Sequence, residues 1–126
     1  MSQRSTNPAA EEDTQTRGVK NPKVVDLIYS EDVDNLVILQ MFEERPWNSA
    51  PEQLDQLGEK FNNYLDYVLD GWFLKQYPMH EGKSVCLELC YSHEPPQETA
   101  VRLSDLQRFC QSVGLSFRFS QREDIA

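Results

Sequence analysis

The fold is decided by the stretch LVILQMFEERPWNS at residues 36–49. Its first eight residues are almost all apolar, which predicts a β-strand that lies centrally in a sheet or is covered on both faces. Pro46 has no N–H to donate to a neighbouring strand and it favours extended geometry at Arg45, so the strand should end there. Ser49 and Glu52 then match the capping box S-x-x-E, which predicts that a helix begins at this point.

The helix predicted after this joint carries a regular apolar stripe. Apolar side chains recur at spacings of three and four residues over about five turns, which is typical of an amphipathic helix packed on a sheet. Gly71 is expected to kink or end this helix. The stripe consists of Leu54, Leu57, Phe61, Tyr64, Val68 and Trp72, and Leu65 and Leu69 widen it.

Three further strands and a second helix complete the predicted order β-β-α-β-α-β. β-Branched or alternating residues predict strands over 23–30, 84–92 and 115–121. Helical spacing predicts a helix over 99–113, which Gly114 ends in the left-handed conformation. Right-handed crossovers place both helices on the same side of one sheet. The predicted fold is therefore α+β, a two-layer sandwich in which a four-stranded mixed sheet carries two helices on one face.

In this arrangement the other face of the sheet carries no helix. Side chains alternate between the two faces of a strand, so the small and polar residues of the last two strands should share the helix-free face. We expect that face to be open to solvent or to a partner. Its predicted members are Cys86, Glu88, Cys90, Ser116, Arg118 and Ser120.

The composition changes along the chain and predicts a single domain between two flexible ends. Residues 1–20 contain no aromatic residue, Leu or Ile, so they cannot bury enough apolar surface to offset the entropy of ordering and are predicted to be a disordered tail. A chain of 126 residues has room for one domain, which we place at 21–121, and residues 122–126 should be flexible. The tail lacks the apolar region of a signal peptide, and no later run is long enough to span a membrane.

The net charge of −9 limits the classes of partner. A surface of this sign repels DNA, RNA and anionic lipid, so neither nucleic acid nor membrane is an expected partner. The charge serves solubility or offers an acidic face to a basic protein. Three cysteines without an export signal suggest free thiols in a reducing compartment, and the protein is predicted to be cytoplasmic.

Candidate metal ligands and catalytic residues are few. Cys86 and Cys90 lie ~13 Å apart on a strand, too far to share a zinc ion or form a disulfide. Asp66 and Asp70 share a helix face and are interpreted as its solvated side. No metal-binding histidine motif, phosphate-binding loop, dinucleotide fingerprint or nucleophile elbow occurs. The sequence predicts no metal, no cofactor and no catalytic residue, and an enzyme is the less favoured class.

Two pairs of residues are candidates for a binding surface. At the joint, Arg45 is a candidate anion contact and Trp47 a candidate recognition surface, because arginine and aromatic residues dominate binding hot spots. The alternative interpretation is structural, with Trp47 packed as a plug between strand and helix. On the helix-free face, Glu88 and Arg118 form the second candidate.

Several short motifs along the chain form a recognisable set: D-L-I, an apolar strand ending E-x-R-P-W, a helix with Q-L…K-x-N-x-Y, then L-D-G and Y-P. In these motifs the chain resembles a family of small bacterial proteins known only as a domain of unknown function. The resemblance covers about residues 24–119 and implies no activity, cofactor or ligand. The matching residues are Asp26-Leu27-Ile28, Glu43, Arg45, Pro46, Trp47, Gln56-Leu57, Lys60, Asn62, Tyr64, Leu69-Asp70-Gly71 and Tyr77-Pro78.

These observations leave three hypotheses of function. The first is a non-catalytic protein-interaction module that binds a protein partner or itself. The second is an immunity or antitoxin-like protein that neutralises a basic protein by electrostatic complementarity. The third is an enzyme built on loop histidines, which requires a histidine and a carboxylate to converge in one concave pocket. Its candidate residues are His80, His93, Glu81, Glu94 and Asp70.

Overall fold

The computed structural model describes residues 17–47 and 51–122. Within these residues four strands and two long helices occur in the predicted order, with a short helix and a 3-10 turn before the third strand. The strands are β1 (Leu27–Glu31), β2 (Leu36–Glu43), β3 (Ser84–Tyr91) and β4 (Ser116–Gln121). The helices are α1 (Glu52–Leu69), α2 (Trp72–Gln76) and α3 (Gln97–Ser112), and the 3-10 turn is Pro78–His80. The predicted capping residue Ser49 lies outside the described residues.

The strands form one mixed sheet in the order β1-β2-β3-β4. β1 and β2 form an antiparallel hairpin in which Ile28 lies opposite Leu39. β2 and β3 are parallel, as are β3 and β4, so that Leu39, Leu87 and Phe117 lie in one row across the sheet. Each parallel pair requires a crossover connection, and α1 and α3 lie in these two connections. The predicted α+β fold with a four-stranded mixed sheet is confirmed.

Both long helices pack on the same face of the sheet, as predicted. The rings of Phe61 in α1 and Phe117 in β4 meet edge to face, with 5.4 Å between their centroids. Removal of these apolar side chains from water is the main driving force for joining the two layers. The core consists of Val37, Leu39, Met41, Leu87, Leu89 and Phe117 from the sheet, Leu57, Phe61, Tyr64 and Leu65 from α1, and Leu103 and Cys110 from α3.

On the helix-free face the predicted exposure is only partly correct. The edge strand β4 behaves as expected, but the exposure predicted for three residues of β3 is wrong. β3 is an interior strand, and side chains from both of its neighbours reach across it, including Gln40 from β2 and Arg118 from β4. The buried residues are Cys86, Glu88 and Cys90, the half-buried residue is Arg118, and the exposed residues are Ser116 and Ser120.

The segment before β1 is attached to the end of β2. Val19, which falls within the predicted tail, is only 1% exposed, and its N–H donates to the carbonyl oxygen of Phe42 at 2.8 Å. The N–H of Phe42 donates to Oδ2 of Asp26 at 2.9 Å. Since both backbone groups of Phe42 are occupied in this way, the β1–β2 ladder stops short of it, and β1 begins at Leu27 rather than at the predicted Lys23.

α1 ends at Leu69, and Gly71 follows in the left-handed conformation with a φ of +88°. This backbone geometry favours glycine because it has no Cβ, and the predicted helix stop is confirmed. The position predicted for Trp72 on the packed stripe is wrong, because its side chain is 58% exposed. The chain turns at Gly71, and Phe73 of α2 enters the core in place of Trp72.

Candidate functional site

The joint between β2 and α1, residues 43–47, is held by an ion pair. Glu43 is buried, and its two carboxylate oxygens accept hydrogen bonds from Nε and Nη2 of Arg45 at 2.8 and 2.7 Å. Nη2 of Arg45 also donates to Oε1 of Gln56 on α1 at 2.9 Å. The hydrogen bond to Glu43 is the main reason that the pKa of Arg45 is raised. This bidentate pairing fixes the guanidinium in position as well as neutralising the carboxylate.

Trp47 lies at the same joint and is bonded to the loop after β3. Its indole Nε1–H donates to the backbone oxygen of His93 at 2.7 Å. Its ring meets the ring of Tyr91 edge to face, with 6.2 Å between centroids. The structure therefore brings Arg45 and Trp47 together, and both side chains make contacts within the chain that connect β2, α1 and the end of β3.

The two candidates on the helix-free face, Glu88 and Arg118, are bonded to each other. Nε of Arg118 donates to Oε2 of Glu88 at 2.6 Å, and Nη2 of Arg118 donates to Tyr29 Oη at 3.1 Å and to Glu31 Oε2 at 3.0 Å. The hydroxyl of Tyr29 donates to Oε1 of Glu88 at 3.2 Å, and the amide of Gln40 donates to the same oxygen. One hydrogen-bonded network thus joins all four strands and satisfies the buried carboxylate of Glu88.

A buried ion pair that the sequence analysis did not single out lies under the segment before β1. Lys60 of α1 is fully buried, and its Nζ donates to Asp26 Oδ1 at 2.7 Å, to Gly18 O at 2.7 Å and to Asn21 O at 2.9 Å. All three ammonium hydrogens therefore have acceptors. Burial lowers the pKa of Lys60, and the bond to Asp26 acts in the opposite direction. The available signal was a lysine beside the apolar stripe and a lone aspartate within the first predicted strand.

The surface at the other end of α1 is shaped by Trp72, which lies between two adjacent clefts. The first cleft, of about 710 Å³, is enclosed by the segment before β1, the end of α1 and α2, and the second, of about 490 Å³, by α2 and the 3-10 turn. Asp70 and Trp72 line both clefts. We use the name Trp72 ridge for these two residues together with the two clefts. The aromatic lining of the first cleft is Tyr67, Trp72 and Tyr77, and its charged lining is Lys23, Asp66 and Asp70.

The charged side chains of the Trp72 ridge make few contacts with the rest of the described chain. Nζ of Lys75 lies 4.7 Å from the ring centroid of Trp72. The side chains of Asp66 and Asp70 are exposed, and neither has a hydrogen bond or salt bridge among residues 17–47 and 51–122. The predicted position of these two carboxylates on a solvated helix face is correct. The exposure of Trp72 was not predicted, although a helix stop at Gly71 is a signal that the next residue leaves the stripe.

The two histidines considered for an enzyme, His80 and His93, lie in different environments. The ring of His80 stacks on that of Phe73 at 5.8 Å, and its Nδ1 lies 3.1 Å from Nζ of Lys83. Burial and then the charge of Lys83 lower the pKa of His80. The side chain of His93 is exposed beside the joint. In the part of the chain that the structure describes, no group of three or more His, Cys, Asp or Glu side chains is arranged to hold a metal ion.

The three cysteines are free and buried. Cys110 lies in the core, as its position on the helical stripe predicts. Burial raises the pKa of Cys90 and of Cys110 to about 11, so both are protonated thiols at neutral pH.

The fold and the site together define a small acidic α+β protein with a charge network on one sheet face and an exposed aromatic ridge at the end of its first helix. The family of unknown function DUF6572 matches residues 17–123, and the chain belongs to that family. This confirms the resemblance to a family of unknown function. No curated protein and no solved structure matches the chain. None of the helices within the described residues is long and apolar enough to cross a membrane.

Proposed function

We propose that the chain is a non-catalytic protein-interaction module of the cytoplasm, and that the Trp72 ridge is its contact surface. The observation that carries this proposal is the position of Trp72, which is more than half exposed and stands between two clefts. Tryptophan is the residue most enriched in binding hot spots, where it fills a pocket or forms the wall of one. Covering the exposed part of an indole, on the order of 100 Å², contributes about 2–3 kcal/mol to a complex.

The ridge is a better contact surface than the two pairs first suggested by the sequence. The guanidinium of Arg45 and the indole N–H of Trp47 already bond to Glu43 and His93 within the chain. Arg118 likewise holds Glu88. A partner that used these groups would have to break bonds that stabilise the fold, and each acceptor left buried without its donor would cost free energy. In this proposal the joint and the hydrogen-bonded network on the helix-free face hold the strands and helices in position, and the Trp72 ridge contacts the partner.

Site-specific photo-cross-linking tests this proposal. A benzoylphenylalanine replaces Trp72, and in a matched control it replaces Val33, which is 97% exposed in the turn between β1 and β2. Irradiation of cells that naturally express the chain should give a discrete protein adduct from position 72 and none from position 33. Mass spectrometry then identifies the adduct. Absence of an adduct at position 72, or the same adducts from both positions, would contradict the proposal.

A further inference from the structure

We infer that the Trp72 ridge takes an extended basic segment of another protein, with a lysine or arginine side chain placed against the Trp72 ring and the carboxylates of Asp66 and Asp70. This inference rests on the proposed function and names its partner class. Three observations carry it: the shape of the ridge, the charge of the helix that leads to it, and an ammonium group that already lies on the Trp72 ring.

The shape of the ridge selects an elongated occupant. Trp72 and Asp70 line both clefts, of about 710 and 490 Å³. A small compact ligand would fill one cleft and leave the other open, whereas a chain of several residues crosses Trp72 and enters both. Tyr67 and Tyr77 extend the aromatic wall on the side of the first cleft. Aromatic walls of this kind bind the alkyl stems of lysine and arginine as well as their charged ends.

The charge of α1 selects a basic occupant. Four carboxylates along one side of this helix are followed by that of Asp70 directly after its last residue, and all five residues are exposed. The only basic residue of α1 is Lys60, and its ammonium group is buried and paired with Asp26. The outward face therefore presents negative charge from the joint to the Trp72 ridge, which favours and orients the approach of a positive segment. The five residues are Glu52, Asp55, Glu59, Asp66 and Asp70.

The contact of Lys75 with Trp72 shows how a cation fits the ridge. Nζ of Lys75 lies 4.7 Å from the ring centroid, within the ~6 Å over which an aromatic face attracts an ammonium group. Lys75 is exposed, so its contact is weak and a partner cation can replace it. Lys23 is the basic residue in the lining of the first cleft, and its positive charge disfavours a second cation beside it.

Selection from a library of random twelve-residue peptides displayed on phage tests the inference without a known partner. The bait is the full chain, and the matched control is Phe109→Ala, which removes another half-exposed aromatic residue, from α3. Clones enriched on the wild-type chain and on Phe109→Ala should carry a net positive charge, and Trp72→Ala should not enrich them. Enrichment of neutral or acidic clones whose binding requires Trp72 would overturn the inference that the bound segment is basic and leave the proposed function intact. Clones that bind regardless of Trp72 would overturn both.

A charge-matched pair of variants then tests the carboxylates with one enriched peptide. Asp66→Asn with Asp70→Asn should weaken its binding about tenfold or more, because two favourable charge contacts with the peptide are lost. Asp32→Asn with Asp34→Asn removes the same charge from the exposed β1–β2 turn and should leave affinity within about twofold. Fluorescence polarisation measures both. Equal losses in the two double variants would mean that only net charge matters, which would refute the assigned carboxylates.

Discussion

The two tryptophans of this chain flank α1 and have opposite surroundings. Trp47, before the helix, donates its N–H to His93 and packs edge to face on Tyr91. Trp72, after the helix, is 58% exposed, and the ammonium group of Lys75 lies over its ring. The same residue type thus closes the fold at one end of α1 and is presented to solvent at the other.

The charged residues that contact α1 differ in a similar way. The carboxylates of Glu43, at the joint, and of Asp26, which meets the middle of α1, are buried and paired with Arg45 and Lys60. At the ridge end, Asp66 and Asp70 are exposed and have no such pairing among the described residues. This difference separates two kinds of charge: the buried pairs hold the architecture, and the unpaired exposed carboxylates are those that we propose contact a partner. Changes to the buried pairs should therefore affect stability, and changes at the Trp72 ridge should affect affinity.

The largest effect is expected for Asp26→Ala. This change removes the partner of a fully buried ammonium group and the acceptor for the N–H of Phe42. Breaking a buried ion pair by deleting one member costs about 3–5 kcal/mol. Urea unfolding followed by circular dichroism measures the loss, and Asp32→Ala, an exposed aspartate, should stay within about 0.5 kcal/mol of the wild-type chain. A loss under about 1 kcal/mol for Asp26→Ala would show that the stability of the fold does not depend on the pair.

A smaller effect is expected at the joint itself. Arg45→Ala leaves the buried carboxylate of Glu43 without its guanidinium, and because Arg45 is itself partly exposed we expect a loss of about 2 kcal/mol. Arg45→Lys keeps the charge but not the two parallel bonds, and it should recover only part of that stability. The same urea titration applies to both variants. Full recovery by lysine would mean that charge alone, and not the bidentate geometry, holds the joint.

The smallest effect on stability is expected when each of the two tryptophans is replaced by phenylalanine. Trp47→Phe deletes the hydrogen bond to His93 and should cost about 1 kcal/mol, whereas Trp72→Phe deletes no described hydrogen bond and should change stability by less than about 0.5 kcal/mol. Thermal unfolding of the two variants side by side measures the difference. If Trp72→Phe were the more destabilising of the two, Trp72 would have a structural task and the contrast between the ends of α1 would fail.

Features that depend on local pattern could be predicted from the sequence. β2 was placed at its observed bounds because its run is almost wholly apolar and Pro46 follows soon after. Gly114 was predicted to end its helix in the left-handed conformation and Gly71 to kink or end the first helix, and both glycines have positive φ. Strand alternation also identified the inward residues of β3.

Features that depend on which strands become neighbours could not be predicted in this way. The network of Tyr29, Glu88 and Arg118 requires the register of β1, β2, β3 and β4, which no single segment encodes. The burial of Cys86 and Cys90 arises from side chains of adjacent strands. At the candidate site, the acids were visible as a helical pattern. The two clefts were not, because the first needs the segment before β1 beside α1 and α2, and the second needs the 3-10 turn beside α2.

The mixed sheet also sets an order of assembly in time. The β1–β2 hairpin joins Glu31 to Leu36 across a short turn, and such hairpins close in about 1–10 μs. The parallel pair must bring Ser84 back to Leu36, and this long-range closure is slower. Until it forms, β2 has an unpaired edge and an almost wholly apolar sequence. We therefore expect that interval, rather than the finished fold, to be the stage at which newly made chains are most prone to aggregate.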